Sequence, residues 1–397
     1  MPLPGKQPFR IFDEPLGPQK VPDDLREFDD PKKTRKFIYD GVLDAVQKRF
    51  PVEDDNFKLE LVNARYGGPQ DFSLKQQKQA LIANRNLRTP IVGTWRLTDK
   101  ATGQVLDERE DTIMQVPYYT DRGTVINNGS DYTVVNQMRL RPGVYSRRKK
   151  NGELECHFNV RPRTGRSFRF GMDPETGIFT LNTGQANIPL YPVLKAIGVS
   201  DDQIKDAWGA EVALANASKS DPQALKKIYQ RMAGYKANPA AGDYEMQQFV
   251  RETLPKYEVD PDVVERTMGL RDVKGITPEL MLRASQKMLN ISRGDEKPDT
   301  RDSLRYADIY GIEDMLKERV EKDSGRLTKN LLFRVRRNRN LAGIQRNALN
   351  PYMDDFLLGS GLAMPGEEAN PLSVLEQMSR ITKFGDGGIS SPDAVTD

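Results

Sequence analysis

A chain of 397 residues with 37% hydrophobic and 29% charged side chains is long enough for two or three domains, each with its own core, and is polar for its size. A net charge of +3 and a pI near 8.6 are too mild to establish a nucleic-acid partner, so the placement of the charge matters more than its sum. A single cysteine, Cys156, excludes an internal disulfide. A single histidine, His157, excludes a Cys/His zinc site and leaves a Ser/His/Asp triad with one base to build on.

Residues 1–30 are rich in proline and charge and read as an extended arm. The opening MPLPGKQPFRIF has no apolar core of signal-peptide length, and no stretch approaches the roughly 18 apolar residues of a membrane span, so a soluble cytoplasmic protein is expected. Asp30-Pro31 opens a predicted helix to Phe50, with Phe37, Ile38, Val42, Leu43 and Val46 at helical spacing. From Phe57 the pattern turns strand-like, becomes helix-compatible through Leu81, and returns to strand in IVGTWRLTD and DTIMQVPYY, with Gly103 at the turn. Residues 30–140 thus read as a mixed sheet with helices packed on it. Beyond Arg141-Pro142-Gly143 come three more predicted strands, ELECHFNVRP, RSFRFGM and GIFTLNTG, with Asp173 to Gly177 as a turn. Pro189 to Leu289 is helical in pattern, residues 294–301 form a polar hinge, and 302–340 read as one or two long helices. Small residues from Leu358 to Asn370 predict a loop.

Catalytic motifs are missing: the sequence has no GxxxxGK[ST] loop, no HExxH and no EF-hand loop. The acidic pairs Asp54-Asp55, Asp201-Asp202 and Asp354-Asp355 sit near turns and helix starts, where a carboxylate is stabilised without any metal. Positive charge is what remains. From Arg139 to Arg169 ten Arg or Lys stand against two Glu, with Arg139, Arg141, Arg147, Arg148, Lys149 and Lys150 around a turn, and Arg161, Arg163, Arg166 and Arg169 after it. On a strand Arg161 and Arg163 would share a face and could meet successive phosphates. A second group comprises Arg334, Arg336, Arg337, Arg339 and Arg346. The competing account of both groups is a solvated surface or a match to acidic patches on a neighbour. Tyr118, Tyr119, Tyr132, Tyr145, Phe168 and Phe170 could stack on bases, but their spacing suits packing better, as it does for Trp95, Trp208, Cys156 and His157.

Two segments carry a family resemblance. The first is TDRGTVINNGSDYTVVNQMRLRPGVY, from Thr120 to Tyr145, with Thr120, Asp121, Gly123, Thr124, Asn128, Gly129, Val135, Gln137, Pro142, Gly143 and Val144 at the matching positions. Gly165, Asp173-Pro174, Phe179 and Pro189 continue the match. The second is Asn370-Pro371-Leu372 with Leu375, Arg380-Ile381-Thr382 and Gly385-Asp386-Gly387-Gly388. In this order they resemble the N-terminal half of the beta subunit of multisubunit DNA-directed RNA polymerases. In its NQMRLRPGVY form the corner looks most like the polymerases of large bacteriophages, some of which split this subunit between two chains.

The resemblance implies an α+β fold in five pieces: an arm (1–30), a mixed sheet-plus-helix protrusion from 31–144 and 301–357, an inserted lobe (145–300), and the start of the fork or hybrid-facing core (358–397). It implies DNA contacts by Arg139, Arg141, Arg147, Arg148, Lys149, Lys150, Arg163 and Arg166. It also implies a surface toward the RNA–DNA hybrid, the rifamycin pocket of bacterial enzymes, at Val135, Gln137, Asn370, Pro371, Leu372, Gln377, Arg380 and Thr382. Gln377, Met378 and Ser379 replace that pocket's histidine, lysine and arginine, Leu140 falls on the family's corner arginine, and Ser167 replaces a tryptophan that cups a non-template base. These departures count against rifamycin binding. The family's catalytic residues would lie on other chains, with no cofactor bound here and Mg2+ on a beta-prime-like partner. Implied partners are a C-terminal beta-like chain, beta-prime-like chains, a promoter-specificity factor, template DNA and nascent RNA, in the cytoplasm of a host bacterium or packaged in a virion, without a membrane. A virion structural or DNA-packaging protein with a basic surface is the rival reading; a self-sufficient nuclease would need an acidic cluster that the sequence lacks.

Overall fold

The computed structural model describes residues 30–389, apart from 163, 185, 220, 235, 236, 323 and 367–369. All but the last residue of the expected arm therefore lies outside the described residues. The fold is α+β, as the resemblance implies. The chain divides into two compact units, one of residues 1–137 and 310–382, the other of 138–309 and 383–397. Residues 145–300 fall entirely within the second unit, and the chain passes between units a third time, at 382/383.

In the first unit α1 (Pro31–Gln47) starts where the sequence signals it: the Asp30 carboxylate accepts from the backbone N–H groups of Lys32 and Lys33, and Pro31 takes the first helical position. It stops short of Phe50. Strands β1 (Val52–Glu53) and β2 (Phe57–Tyr66) follow, then α2 (Leu74–Ile82), which Ser73 and Gln76 open as a reciprocal capping box. Long strands β3 (Arg88–Asp99) and β4 (Val105–Pro117) complete a four-stranded antiparallel sheet in sequence order. Strict alternation along β3 turns Ile91, Trp95 and Leu97 inward against Ile38, Val42 and Val46 of α1. Next comes the hairpin of β5 (Val125–Asn127) and β6 (Ser130–Val134). Asn128 and Gly129 reverse it, both with positive φ (50° and 76°), as a two-residue hairpin turn of matching twist requires. Strand β7 (Asn136–Leu140) carries the chain over the first boundary.

The second unit opens with an antiparallel meander, β8 (Gly143–Arg148), β9 (Leu154–Asn159), β10 (Phe168–Met172), β11 (Phe179–Asn182) and β12 (Asn187–Pro189), each paired with its sequence neighbour. Helices α3 (Leu190–Ile197), α4 (Asp201–Trp208), α5 (Ala210–Ser218), α6 (Ala224–Ala233), α7 (Asp243–Thr253), α8 (Pro261–Met268) and α9 (Pro278–Arg293) follow. One face of the meander is apolar. Val144, Leu154, Cys156, Phe158, Phe168, Phe170 and Leu181 form one core with Leu194, Val264, Leu280 and Met288 of the helices. Trp208 stacks on Phe179 at 4.6 Å between ring centroids and donates its indole N–H to Ser285 Oγ at 2.8 Å, so the one polar atom of this large buried ring is satisfied.

The return differs from its sequence pattern. Leu304 to Tyr306 make a 3-10 turn and β13 (Ala307–Tyr310) is a strand, so the helical region begins only at α10 (Ile312–Lys322) and α11 (Ser324–Asn338). After α12 (Asn350–Gly359) the expected loop contains β14 (Ala363–Pro365), which pairs antiparallel with β6 (Ala363 opposite Val134, Pro365 opposite Tyr132). An edge of β6 left open by the hairpin is thereby closed, a long-range pairing with no local signal. Helix α13 (Pro371–Ser379) and β15 (Ile381–Thr382) end the first unit, β15 running parallel to β7 at Asn136 and Gln137. No helix of the described residues is long and apolar enough to cross a membrane.

Candidate nucleic-acid interface

The second face of the meander is polar. Strand alternation places Tyr145, Arg147, Glu155, His157, Asn159 and Arg169 on the side opposite the core, and the register sets Arg147 beside Glu155 and His157 beside both Tyr145 and Arg169. Tyr145 is covered by Tyr306, ring centroids 5.5 Å apart. Glu155, with 7% of its side chain exposed, is the hub of the face: Arg147 approaches it at 2.7 Å, Arg169 at 3.3 Å and Lys149 at 3.9 Å. Burial works to raise its pKa, but the hydrogen bond and charge of Arg147, with Arg169 and Lys149, hold the carboxyl below its ordinary range.

Several cations expected to face DNA are committed elsewhere. Arg141 is 22% exposed and binds Asp260 at 2.6 Å, with Asp308 at 3.7 Å and Asp262 at 3.9 Å. Arg147 is held on Glu155. In both cases a carboxylate stands beside the guanidinium, Asp260 with 16% and Glu155 with 7% of its side chain exposed, and offsets a charge that is itself partly desolvated. Arg139 donates to the Asp386 carbonyl at 3.3 Å, and Lys149 also meets Glu153 at 3.3 Å. Arg148 is exposed while donating to the Ile291 carbonyl at 2.9 Å, and Lys150 and Arg166 are exposed. Strand β9 ends at Asn159, so Arg161 is not on a strand as the alternation predicts; it lies past the strand end, exposed, 3.4 Å from Glu258. Arg163 lies outside the described residues. In the first unit Arg334, Arg336, Arg337 and Arg339 are exposed on or just after α11, with Arg336 at 3.7 Å from Asp54 and Arg346 at 3.3 Å from Asp111.

The residues implied at a hybrid surface all fall in the first unit, Val135, Gln137 and Gln377 with buried side chains and Asn370, Leu372 and Arg380 exposed. Val135 donates its N–H to the Leu362 carbonyl (2.9 Å), Asn136 donates through Nδ2 to the Met378 carbonyl (3.0 Å), and Thr133 Oγ1 donates to Gln377 Oε1 (3.4 Å). The side chains of Val135, Gln137 and Gln377 are buried at the joint between residues 133–137 and 362–382. Asn370 caps α13 by accepting the Ser373 N–H (3.0 Å), Pro371 opens the helix, Arg380 pairs with Glu376 at 2.8 Å, and Thr382 is half-buried. Leu372 is 73% exposed.

The acidic pairs behave as caps and partners. Asp54 accepts from Asn56 and Phe57, Asp201 and Asp202 occupy the first turn of α4, and Asp354 binds Arg88 at 2.6 Å. Among the described residues no group of three or more His, Cys, Asp or Glu could hold a metal ion. Burial pushes the Cys156 thiol up to about 12, which makes it inert at neutral pH.

Two residues of the polar face have no signal as a site in the sequence. His157 is half-buried and its Nδ1 is buried without a hydrogen-bond partner. Burial, then the charges of Arg169 and Arg301, push its pKa down to about 4. Arg301, from the return segment, is likewise half-buried; burial and Arg147 disfavour its charge, with Glu155 acting the other way. No linear pattern links Arg301 to a strand so far back in the chain.

The His157 shift has a measurable sign. An unfolded histidine takes up a proton near pH 6.5 whereas the folded one waits until about pH 4, so folding stability should fall as pH drops through that window. His157→Gln is expected to remove that component, on the order of 2–3 kcal/mol, from the difference between urea melts at pH 7 and pH 4. Identical pH dependence in variant and wild type would contradict it.

No family model matches the chain. It is, however, similar to curated proteins named DNA-directed RNA polymerase subunit beta. The Synechococcus elongatus protein is 26% identical over 380 residues, covering 90% of this chain and 34% of its own length. The Gloeobacter violaceus protein is 23% identical with the same coverage, and that of Prochlorococcus marinus strain AS9601 is 24% identical over 383 residues, or 89% of this chain. The chain spans about a third of the length of the curated relatives it matches. Its likeness to an RNA polymerase beta subunit thus reaches well beyond the two segments that carry the resemblance in the sequence.

Proposed function

We propose that this chain is a beta-like part of a multisubunit DNA-dependent RNA polymerase, forming one wall of the DNA cleft and flanking the RNA–DNA hybrid. The observation that carries the reading is likeness to beta subunits over nine-tenths of the chain. In this account the chain holds nucleic acid while bond formation is performed elsewhere: a beta-prime-like partner carries Mg2+, and a C-terminal beta-like chain supplies the remaining residues around the reacting phosphates. The exposed cations Arg148, Lys150, Arg161 and Arg166 are the groups available for phosphates of the template duplex, each contact releasing counterion. A promoter-specificity factor would add sequence choice, since phosphate contacts position a duplex without reading it.

A bacteriophage source is supported by the Asn136 to Tyr145 corner and by Ser167, Gln377, Met378 and Ser379 where bacterial subunits carry other residues. The enzyme would then work in the cytoplasm of the host bacterium, or travel in the virion to act there. Primer extension on a DNA template tests the division of labour. The chain alone should add no nucleotide, and the chain assembled with its partners should extend the RNA; extension by the isolated chain would overturn the proposal.

A further inference from the structure

We infer that the polar face of β8, β9 and β10 holds a binding site for a phosphate group, formed by Arg147, Arg169, Arg301 and His157 and carried in function by a nucleic-acid strand. The identity of the carrier rests on the polymerase reading; the site itself does not.

Charge is the first argument. Arg147, Arg169 and Lys149 converge on one carboxylate, Glu155, and Lys149 is shared with Glu153. Arg301 is added to this group and makes no hydrogen bond or ion pair among the described residues. Arg147 and Arg169 thus lie on one buried carboxylate, and the half-buried Arg301 is near enough to feel the charges of all three. Packing like charges at half-buried positions is unfavourable unless an anion completes the arrangement, and a phosphate matches the planar donor fork of arginine. Hydrogen bonding is the second, independent argument. His157 lies between Arg169 and Tyr145 in the register, and its Nδ1 is buried without a partner. Buried polar atoms are rarely left so, and a ring nitrogen that becomes protonated beside a phosphate would donate to it. The basicity of His157 is suppressed first by burial and then by the charges of Arg169 and Arg301, and the second part fits a site with surplus positive charge.

The test uses the full chain and two probes, a fluorescein-labelled single-stranded oligothymidylate followed by anisotropy, and inorganic phosphate followed through the His157 ring resonances. Arg301→Gln should weaken oligonucleotide binding about tenfold and reduce its salt slope by about 0.7, the value for one phosphate on a single strand. The same variant should leave the melting temperature of the unliganded chain unchanged or raise it, because a like-charge repulsion is removed. Inorganic phosphate should raise the His157 pKa in the wild type and not in Arg301→Gln. Unaltered oligonucleotide affinity and slope, together with a His157 titration insensitive to phosphate, would overturn the site. An Arg301-dependent response to phosphate with no binding of the oligonucleotide would uphold the site and overturn its assignment to nucleic acid.

Discussion

Replacing Lys287 by alanine is expected to cost the second unit about 3–5 kcal/mol, the range for breaking a buried ion pair by removing one partner. The side chains of Lys287 and Asp299 are 6% and 9% exposed. Lys287 Nζ donates to both Asp299 oxygens, at 2.8 and 2.9 Å, and to the Thr267 carbonyl at 2.5 Å. Asp299 in turn accepts the Ser146 N–H at 2.8 Å and returns its own N–H to the Ser146 carbonyl, also at 2.8 Å. Helices α8 and α9, the return segment and the outer edge of β8 therefore meet at one buried pair. Alanine would leave the carboxylate desolvated with one backbone N–H donor, that of Ser146, and no counter-charge. Lys287→Met combined with Asp299→Val should recover most of the loss, since an apolar pair carries no desolvation penalty. Each unit holds one tryptophan, Trp95 in the first and Trp208 in the second, so urea melts followed by Trp208 fluorescence in a Trp95→Phe background report the second unit alone. A loss under about 1 kcal/mol for Lys287→Ala would show that the pair is not a buried joint.

Removal of four exposed cations should have the largest effect on nucleic-acid binding. With Arg148, Lys150, Arg161 and Arg166 all changed to alanine, the plot of log affinity against log salt on duplex DNA should flatten by about 0.9 for each phosphate no longer neutralised, or about 3 to 4 if all four engage. Sequence preference should not change, because phosphate contacts carry no base information. Arg141→Ala is the informative contrast. Its guanidinium is bound to Asp260, so its expected signature is a lower melting temperature with an unchanged salt slope. An unchanged slope in the fourfold variant would assign those side chains to solvation.

Local chemistry makes much of this fold legible. Asp30-Pro31 announces α1, alternation around Trp95 announces β3, and Asn128-Gly129 announces the β5–β6 hairpin, because caps, strand periodicity and turn conformations are properties of neighbouring residues. What cannot be read depends on distant partners. Nothing near Arg141 in the chain reveals Asp260, and nothing near Val134 reveals that Ala363 will pair with it. The surroundings of Arg141 and Arg147 are hidden for that reason: the environment of a guanidinium is set by whichever carboxylate the tertiary fold brings beside it. The position of His157 on a strand suggests packing alone, whereas the structure shows a ring whose Nδ1 is left unpaired and whose charge is opposed by an arginine from the return segment. The family resemblance, by contrast, is legible because it is carried by the order of residues along the chain and not by their tertiary partners.

Native mass spectrometry of the complex captured on this chain from its source cells tests the central claim most directly. The account predicts a defined assembly containing a beta-prime-like chain and a chain resembling the C-terminal part of a beta subunit, each in fixed ratio to this one. Recovery of only self-assembled copies of this chain would contradict it and favour a structural role.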